Sequence, residues 1–178
     1  RELDYSQTNM YVLGVDIRNY LKIHREIIWA NRFASGTSFG DEKIIYYLGA
    51  TDNWLVPSFN QSTAIDYTQN YAYQALATNL RGFDQNIRNG NTFALINSEI
   101  RVPVFRYLLN RPIKSDFIRN FQVVGFGDIG TAWSGPSPYA SDNPLNNSTI
   151  YSQPFVITLT QQKDPIVGGY GFGLRSRL

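Results

Sequence analysis

The sequence predicts an all-β fold: a partial, antiparallel transmembrane β-barrel with long outer loops. Several stretches alternate apolar and polar residues with a period of two, the pattern of strands that separate two environments. The connections between these stretches are alternately short and long, as in barrels of bacterial outer membranes. Aromatic residues make up 15% of the 178-residue chain, and such barrels carry aromatic girdles at both membrane interfaces.

The composition excludes several other classes of protein. No run approaches the roughly 18 consecutive apolar residues of a transmembrane helix. Cysteine is absent and His24 is the only histidine, which excludes thiol catalysis, disulfides and the usual zinc sites. The net charge is +2 and the basic residues form no run, so nucleic acid is not an expected partner. We expect no enzymatic activity, no bound metal and no cofactor.

The first two predicted strands lie at residues 10–22 and 27–38. A tight polar turn, His24-Arg25-Glu26, joins them. In the second strand, Trp29 and Phe33 oppose Arg32. The apolar face of the first strand carries Tyr11, Leu13, Val15 and Ile17. Both strands therefore have one apolar and one polar face.

Three further strands are predicted at residues 91–103, 119–133 and 168–178. The first of these collects charged and amide side chains on one face, which indicates a wet lumen. That face carries Asn97, Glu99 and Arg101. The last strand places Tyr170, Phe172, Leu174 and Leu178 on one face and Gly169, Gly171, Gly173, Arg175 and Arg177 on the other. We expect these glycines to allow close packing against an inner loop or a neighbouring strand.

Two long connections are expected on the outer side, at residues 39–90 (the long loop) and 134–167 (the second loop). Within the long loop, Lys43–Leu48 reads as a strand by propensity. An additional membrane crossing there would reverse every later connection, so we expect this strand to lie inside the loop. The same argument makes Phe155–Thr160 an extension of the second loop.

Five spanning strands cannot close a barrel, because closed outer-membrane barrels begin at eight strands. An open sheet edge in lipid leaves unpaired backbone groups, each costing several kcal/mol. We therefore expect residues 1–178 to form one incomplete barrel domain, whose remaining strands come from another part of the same protein.

A soluble, aromatic-rich β-sandwich fits the same patterning. In a sandwich, the apolar stripe would be buried between two sheets instead of facing lipid. That stripe includes Tyr11, Trp29, Tyr170 and Phe172. Composition and periodicity leave both architectures open.

Three motifs resemble a known family. Leu80-Arg81-Gly82-Phe83 looks like an Arg-Gly-Phe/Tyr motif at the tip of a sixth outer loop, and Asn91–Ile100, with Glu99, resembles the strand that follows it. Gly127–Trp133 is similar to the next strand's Asp-x-Gly-x-x-Trp segment. With this order and spacing, the chain resembles the bacterial surface antigen superfamily of outer-membrane β-barrels, which includes BamA and TamA. Members from Bacteroidetes look especially close.

The resemblance implies a sixteen-stranded barrel, integral to the bacterial outer membrane, whose sixth loop folds inward. It implies that Arg81 meets Glu99 and Asp128 on the inner wall, as a structural lock. Gly82 would let the loop tip approach the wall, and Phe83 would pack there. The alternative is that the three charged residues are unrelated and solvated. A catalytic carboxylate pair is less favoured, because no substrate pocket is readable.

The resemblance also implies a function, namely aiding the insertion, assembly or translocation of proteins at the outer membrane. The expected partners are outer-membrane lipid and other outer-membrane or periplasmic proteins. An anchoring or scaffolding subunit of a larger outer-membrane complex, without transport activity, is the first alternative. A soluble glycan-binding β-sandwich is the second.

Overall fold

The computed structural model describes residues 8–51, 56–109, 112–140, 143, 146–152, 155–160 and 163–176. Within them the chain is mostly β-structure, as predicted. The strands are β1 (Met10–His24), β2 (Ile27–Gly40), β3 (Lys43–Leu48), β4 (Tyr71–Thr78), β5 (Arg88–Gly90), β6 (Thr92–Val102), β7 (Gln122–Trp133), β8 (Asn147–Ser152), β9 (Phe155–Thr160) and β10 (Val167–Arg175). The helices are α1 (Val104–Leu108) and α2 (Asp116–Arg119). The described residues contain no helix with the length and apolar character that a membrane crossing needs.

Five strands form the main sheet, in the order β1-β2-β6-β7-β10. Every neighbouring pair is antiparallel. These strands lie at the five predicted positions, with bounds that differ by at most three residues. The predicted Arg177 and Leu178 lie outside the described residues. Among the described strands, β1 and β10 pair on one side only, so both edges of the sheet are open.

The two faces of the main sheet differ in chemistry. The outward face exposes a continuous set of large apolar side chains, as period-two alternation requires. This set includes Tyr11, Leu13, Val15, Ile17, Trp29, Phe33, Ile96, Ile100, Ile129, Tyr170, Phe172 and Leu174. A sandwich would bury them, but no second sheet covers this face in the described part of the chain.

The long loop packs against the opposite, inner face of the main sheet. It contains a small sheet of its own, in the order β4-β3-β5, so Lys43–Leu48 is a loop strand as expected. Its apolar side chains meet those of β2, β6 and β7 in one core. That core contains Ala34, Tyr46, Leu48, Leu80, Phe93, Leu95 and Ala132. The rings of Tyr46 and Phe93 meet edge to face, with centroids 5.0 Å apart.

Three features were not predicted from the sequence. The first is the pair of strands β4 and β5 that flank β3 in the long loop. In the second loop, Phe155–Thr160 lies outside the main sheet as expected, but it pairs with β8 in a hairpin. The connection between β6 and β7 holds the helices α1 and α2. Helices of four or five residues are too short to show a 3.6-residue period in the sequence.

Candidate functional site

The tip of the long loop, Leu80-Arg81-Gly82-Phe83, is held against the inner face. Leu80 is fully buried in the apolar core and fixes the start of the tip. Gly82 has a φ of +90°, which favours glycine, and it turns the chain back. The Arg81 side chain thereby points at β6 and β7.

Arg81 binds the carboxylates of two adjacent strands. Its Nε donates to Asp128 Oδ2 over 2.7 Å, and its Nη2 donates to Asp128 Oδ1 over 2.7 Å. The backbone N–H of Arg81 donates to the same Oδ2 over 3.1 Å. Its Nη1 donates to Glu99 Oε1. The structure thus brings together all three charged residues that the family motif indicated.

This cluster is secluded and its charges are balanced. The Asp128 side chain is 0% exposed and that of Glu99 is 13% exposed. Arg101 Nη2 lies 2.8 Å from the other oxygen of Glu99, so two guanidiniums face two carboxylates. Burial alone would lower the pKa of Arg81, but hydrogen bonds and charges from Asp128 and Glu99 raise it above its ordinary value. The cation is therefore retained inside the fold.

Phe126 is a further part of the site and was not predicted from the sequence. Its ring lies under the Arg81 guanidinium, with Cζ 4.0 Å from the ring centroid. A planar cation stacked on a ring in a desolvated place gains a cation–π interaction. Phe126 stands two residues before Asp128 on the same strand face, and that spacing could have revealed it.

The close approach of the loop tip was expected at Gly82 and at the glycines of β10, and it occurs at Gly169. A Cβ atom at Gly82 would meet nothing within 4 Å, so this glycine does not permit the close approach. That approach occurs at Gly169, where a Cβ would stand 2.6 Å from the Arg81 carbonyl oxygen and 3.2 Å from Phe83 Cε2. Phe83 therefore packs where β10 lacks a side chain.

The other glycines of β10 behave differently from one another. A Cβ at Gly171 would stand 3.0 Å from Phe126 Cζ, so this glycine makes room for the ring beneath Arg81. A Cβ at Gly173 would meet nothing within 4 Å. Close packing thus accounts for Gly169 and Gly171 but not for Gly173.

A second ion-pair cluster ties the long loop to β1 and β2. Arg32 Nη2 lies 2.7 Å from Asp16 Oδ2, and Arg32 Nη1 donates to Thr78 Oγ1 at the end of β4 over 2.8 Å. Arg18 Nη2 lies 3.0 Å from the same carboxylate oxygen. Arg32 therefore adds a second polar attachment of the loop to the inner face, beside the apolar core.

The second loop reaches over the long loop. Lys163 Nζ donates to the carbonyl of Ser62 over 2.9 Å and lies 3.5 Å from Thr63 Oγ1. Arg88, which is 5% exposed, donates from Nε to the Asp164 carbonyl over 2.9 Å. Burial lowers the pKa of Arg88, and the negative charge of Asp164 opposes this. These contacts connect the two loops outside the main sheet.

The arrangement is that of a structural lock. Both carboxylates of the Arg81 cluster are engaged by guanidiniums, which leaves neither as a free base. In the part of the chain that the structure describes, no three histidine or acidic side chains are grouped to hold a metal ion.

Comparisons of this chain with protein families, curated proteins and solved structures give no match. The surface antigen resemblance therefore rests on the three motifs alone. The geometry around Arg81 is an independent observation that bears on it.

Proposed function

We propose that this chain is part of an outer-membrane β-barrel of the bacterial surface antigen family. We propose further that the barrel aids insertion, assembly or translocation of proteins at that membrane. One observation carries this proposal: the motif arginine in the long loop binds Glu99 and Asp128, the acidic residues of two adjacent strands that the resemblance named as its partners.

The two faces of the main sheet support a membrane location. Tyr170 is 93% exposed and Phe172 is 86% exposed on the outward face. A large contiguous apolar surface is rare on a protein in water, but it is what a strand presents to acyl chains. The inner face carries the ion pairs of Arg32 and Arg81, which suits a lumen.

The open edges support a larger sheet than the five described strands. In lipid, the unpaired backbone groups of β1 and β10 need partners, because there is no water to satisfy them. Additional strands of the same protein, pairing with both edges, would close the barrel around the long loop.

The membrane part of the proposal is tested by fractionation and by heat modifiability. We expect the full-length protein in the outer-membrane fraction, needing detergent for extraction, and migrating faster in SDS gels before boiling than after it. A protein that stays in solution without detergent would contradict the barrel and restore the β-sandwich.

The assembly part is tested by depletion in the source bacterium. We expect many outer-membrane proteins to decrease together, because an assembly or translocation factor serves many clients. Loss of one partner complex alone would contradict this and favour an anchoring or scaffolding subunit.

A further inference from the structure

Charges are segregated along the strands of the main sheet. We define the basic end as the end that carries the β1–β2 turn, the β6–β7 connection and the close of β10. Its described basic residues are Lys22, Arg25, Arg106, Lys114, Arg119 and Arg175, against the acidic Glu26 and Asp116. The opposite end, in the two loops, has the acidic residues Asp41, Glu42, Asp66, Asp84 and Asp164 against the basic Lys43, Arg88 and Lys163, with Arg81 in the lock.

The few acidic residues at the basic end are already paired. Glu26 Oε2 lies 3.3 Å from Arg106, and Asp116 Oδ1 lies 2.5 Å from Arg119. Lys22 and Lys114 are exposed, and the described residues give neither an ion pair. Lys22 and Arg175 lie on the inner face of their strands. On the turn and the connection themselves, Arg25 and Lys114 have no carboxylate partner among the described residues, which leaves a surplus of positive charge there.

Apolar side chains lie among these cations. The rings of Phe105 and Phe121 are 5.6 Å apart, and those of Phe117 and Phe121 are 6.3 Å apart. Phe121 directly precedes β7, in phase with the outward-facing Ile129. Neither α1 nor α2 buries any residue, and Leu108 is 69% exposed.

We propose that the basic end binds the anionic phospholipid headgroups of the inner leaflet. This rests on the proposed function, which directs the short connections to the periplasm. Aromatic rings favour the boundary between acyl chains and headgroups, and Lys and Arg beside them are attracted to lipid phosphates. The apolar cluster continues the outward face of the sheet, and this continuity favours lipid over an acidic protein as the occupant.

The test uses the full-length protein, refolded from urea into vesicles of phosphatidylcholine with or without phosphatidylglycerol. The wild-type protein should insert faster when phosphatidylglycerol is present, and added salt should reduce this preference. The variant Lys114→Gln/Arg119→Gln should lose part of the preference, by about fivefold for each neutralised side chain. The control variant Lys43→Gln/Lys163→Gln makes the same charge change at the opposite end. It should keep the full preference for vesicles that contain phosphatidylglycerol.

A second variant, Leu108→Ser, tests the apolar component. It should slow insertion into both kinds of vesicle equally, because its contact is with acyl chains. Equal lipid preference in the wild-type protein and in Lys114→Gln/Arg119→Gln would overturn the inference. If Lys114→Gln/Arg119→Gln keeps its lipid preference but loses a copurifying acidic protein, the inference is also overturned, and the basic end binds a protein partner instead. Failure of the wild-type protein to insert into either vesicle would instead contradict the proposed barrel.

Discussion

At the scale of residues, the main feature is a guanidinium that donates three hydrogen bonds to two carboxylates. Arg81 presents two parallel N–H groups to Asp128 and a third N–H to Glu99. Such bidentate, charge-assisted bonds are stronger and more directional than a lysine pair. Desolvation offsets much of the Coulombic attraction, so the pair determines where the loop sits more than it adds stability.

Replacement of Arg81 is the first prediction. Arg81→Ala leaves Asp128 buried without its cation, and breaking a buried pair in this way costs about 3–5 kcal/mol. We expect the long loop to become sensitive to protease while the main sheet stays folded. Limited proteolysis with mass mapping measures this.

The control for this change is Arg101→Ala, which removes an arginine from the same cluster but leaves both contacts between Arg81 and the carboxylates. It should leave the loop resistant to protease. Equal cleavage of Arg81→Ala and the wild-type protein would argue against the lock.

The glycines of β10 give the second prediction. Gly169→Ala places a Cβ 2.6 Å from the backbone carbonyl oxygen of Arg81. Overpacking of this kind costs about 1–3 kcal/mol, and here we expect it to displace the loop tip. Hydrogen exchange of the tip should increase. Gly173→Ala is the matched control, because its Cβ would meet nothing within 4 Å.

At the scale of elements, the lock depends on the register between β6 and β7. Glu99 is directly opposite Phe126, and Asp128 is opposite Asn97, so the two carboxylates are diagonal neighbours on one face. A slip of one residue in either strand would turn one carboxylate to the outward face. Arg81 can therefore bind both carboxylates only when β6 and β7 pair in this register.

The contact between the two loops gives the third prediction. Arg88→Met removes charge-assisted bonds to the Asp164 carbonyl, each worth about 1.5–3 kcal/mol. We expect faster hydrogen exchange in the second loop near Asp164, with the tip of the long loop unaffected. Faster exchange at the tip as well would show that the contact between the two loops and the Arg81 cluster are coupled. Lys163→Ala should have a smaller effect, because its bonds to Ser62 lie at an exposed place.

At the scale of the whole molecule, the proposed membrane location gives the fourth prediction. Ile17→Lys places a charge on the outward face in the middle of β1, which costs about 2–4 kcal/mol at the midplane of a bilayer. Val12→Lys, on the inner face of the same strand, should cost little in a wet lumen. Folding equilibria in lipid vesicles measure both. Equal costs for the two variants would contradict a lipid-facing outward surface.

Local signals account for the parts of the molecule that were predicted. The alternation of Tyr11, Leu13, Val15 and Ile17 with polar residues placed β1 and its faces, because side chains of a strand alternate whatever the strand pairs with. The same rule placed Glu99 on the inner face. Asp128 was expected as its partner only because of the family motif, since its strand alternates less clearly.

The sequence by itself determined the strands of the main sheet and which side chains share each face, because a period of two is a local property of the backbone. Only the tertiary structure decided that Asp128 takes most of Arg81's bonds, that the Phe126 ring stacks beneath the guanidinium, and which glycine of β10 meets the loop tip. Each of these depends on atoms brought together from distant parts of the chain, as with Arg81 and Asp128, which are 47 residues apart. The packing of the long loop sets those distances, and no local sequence pattern predicts that packing.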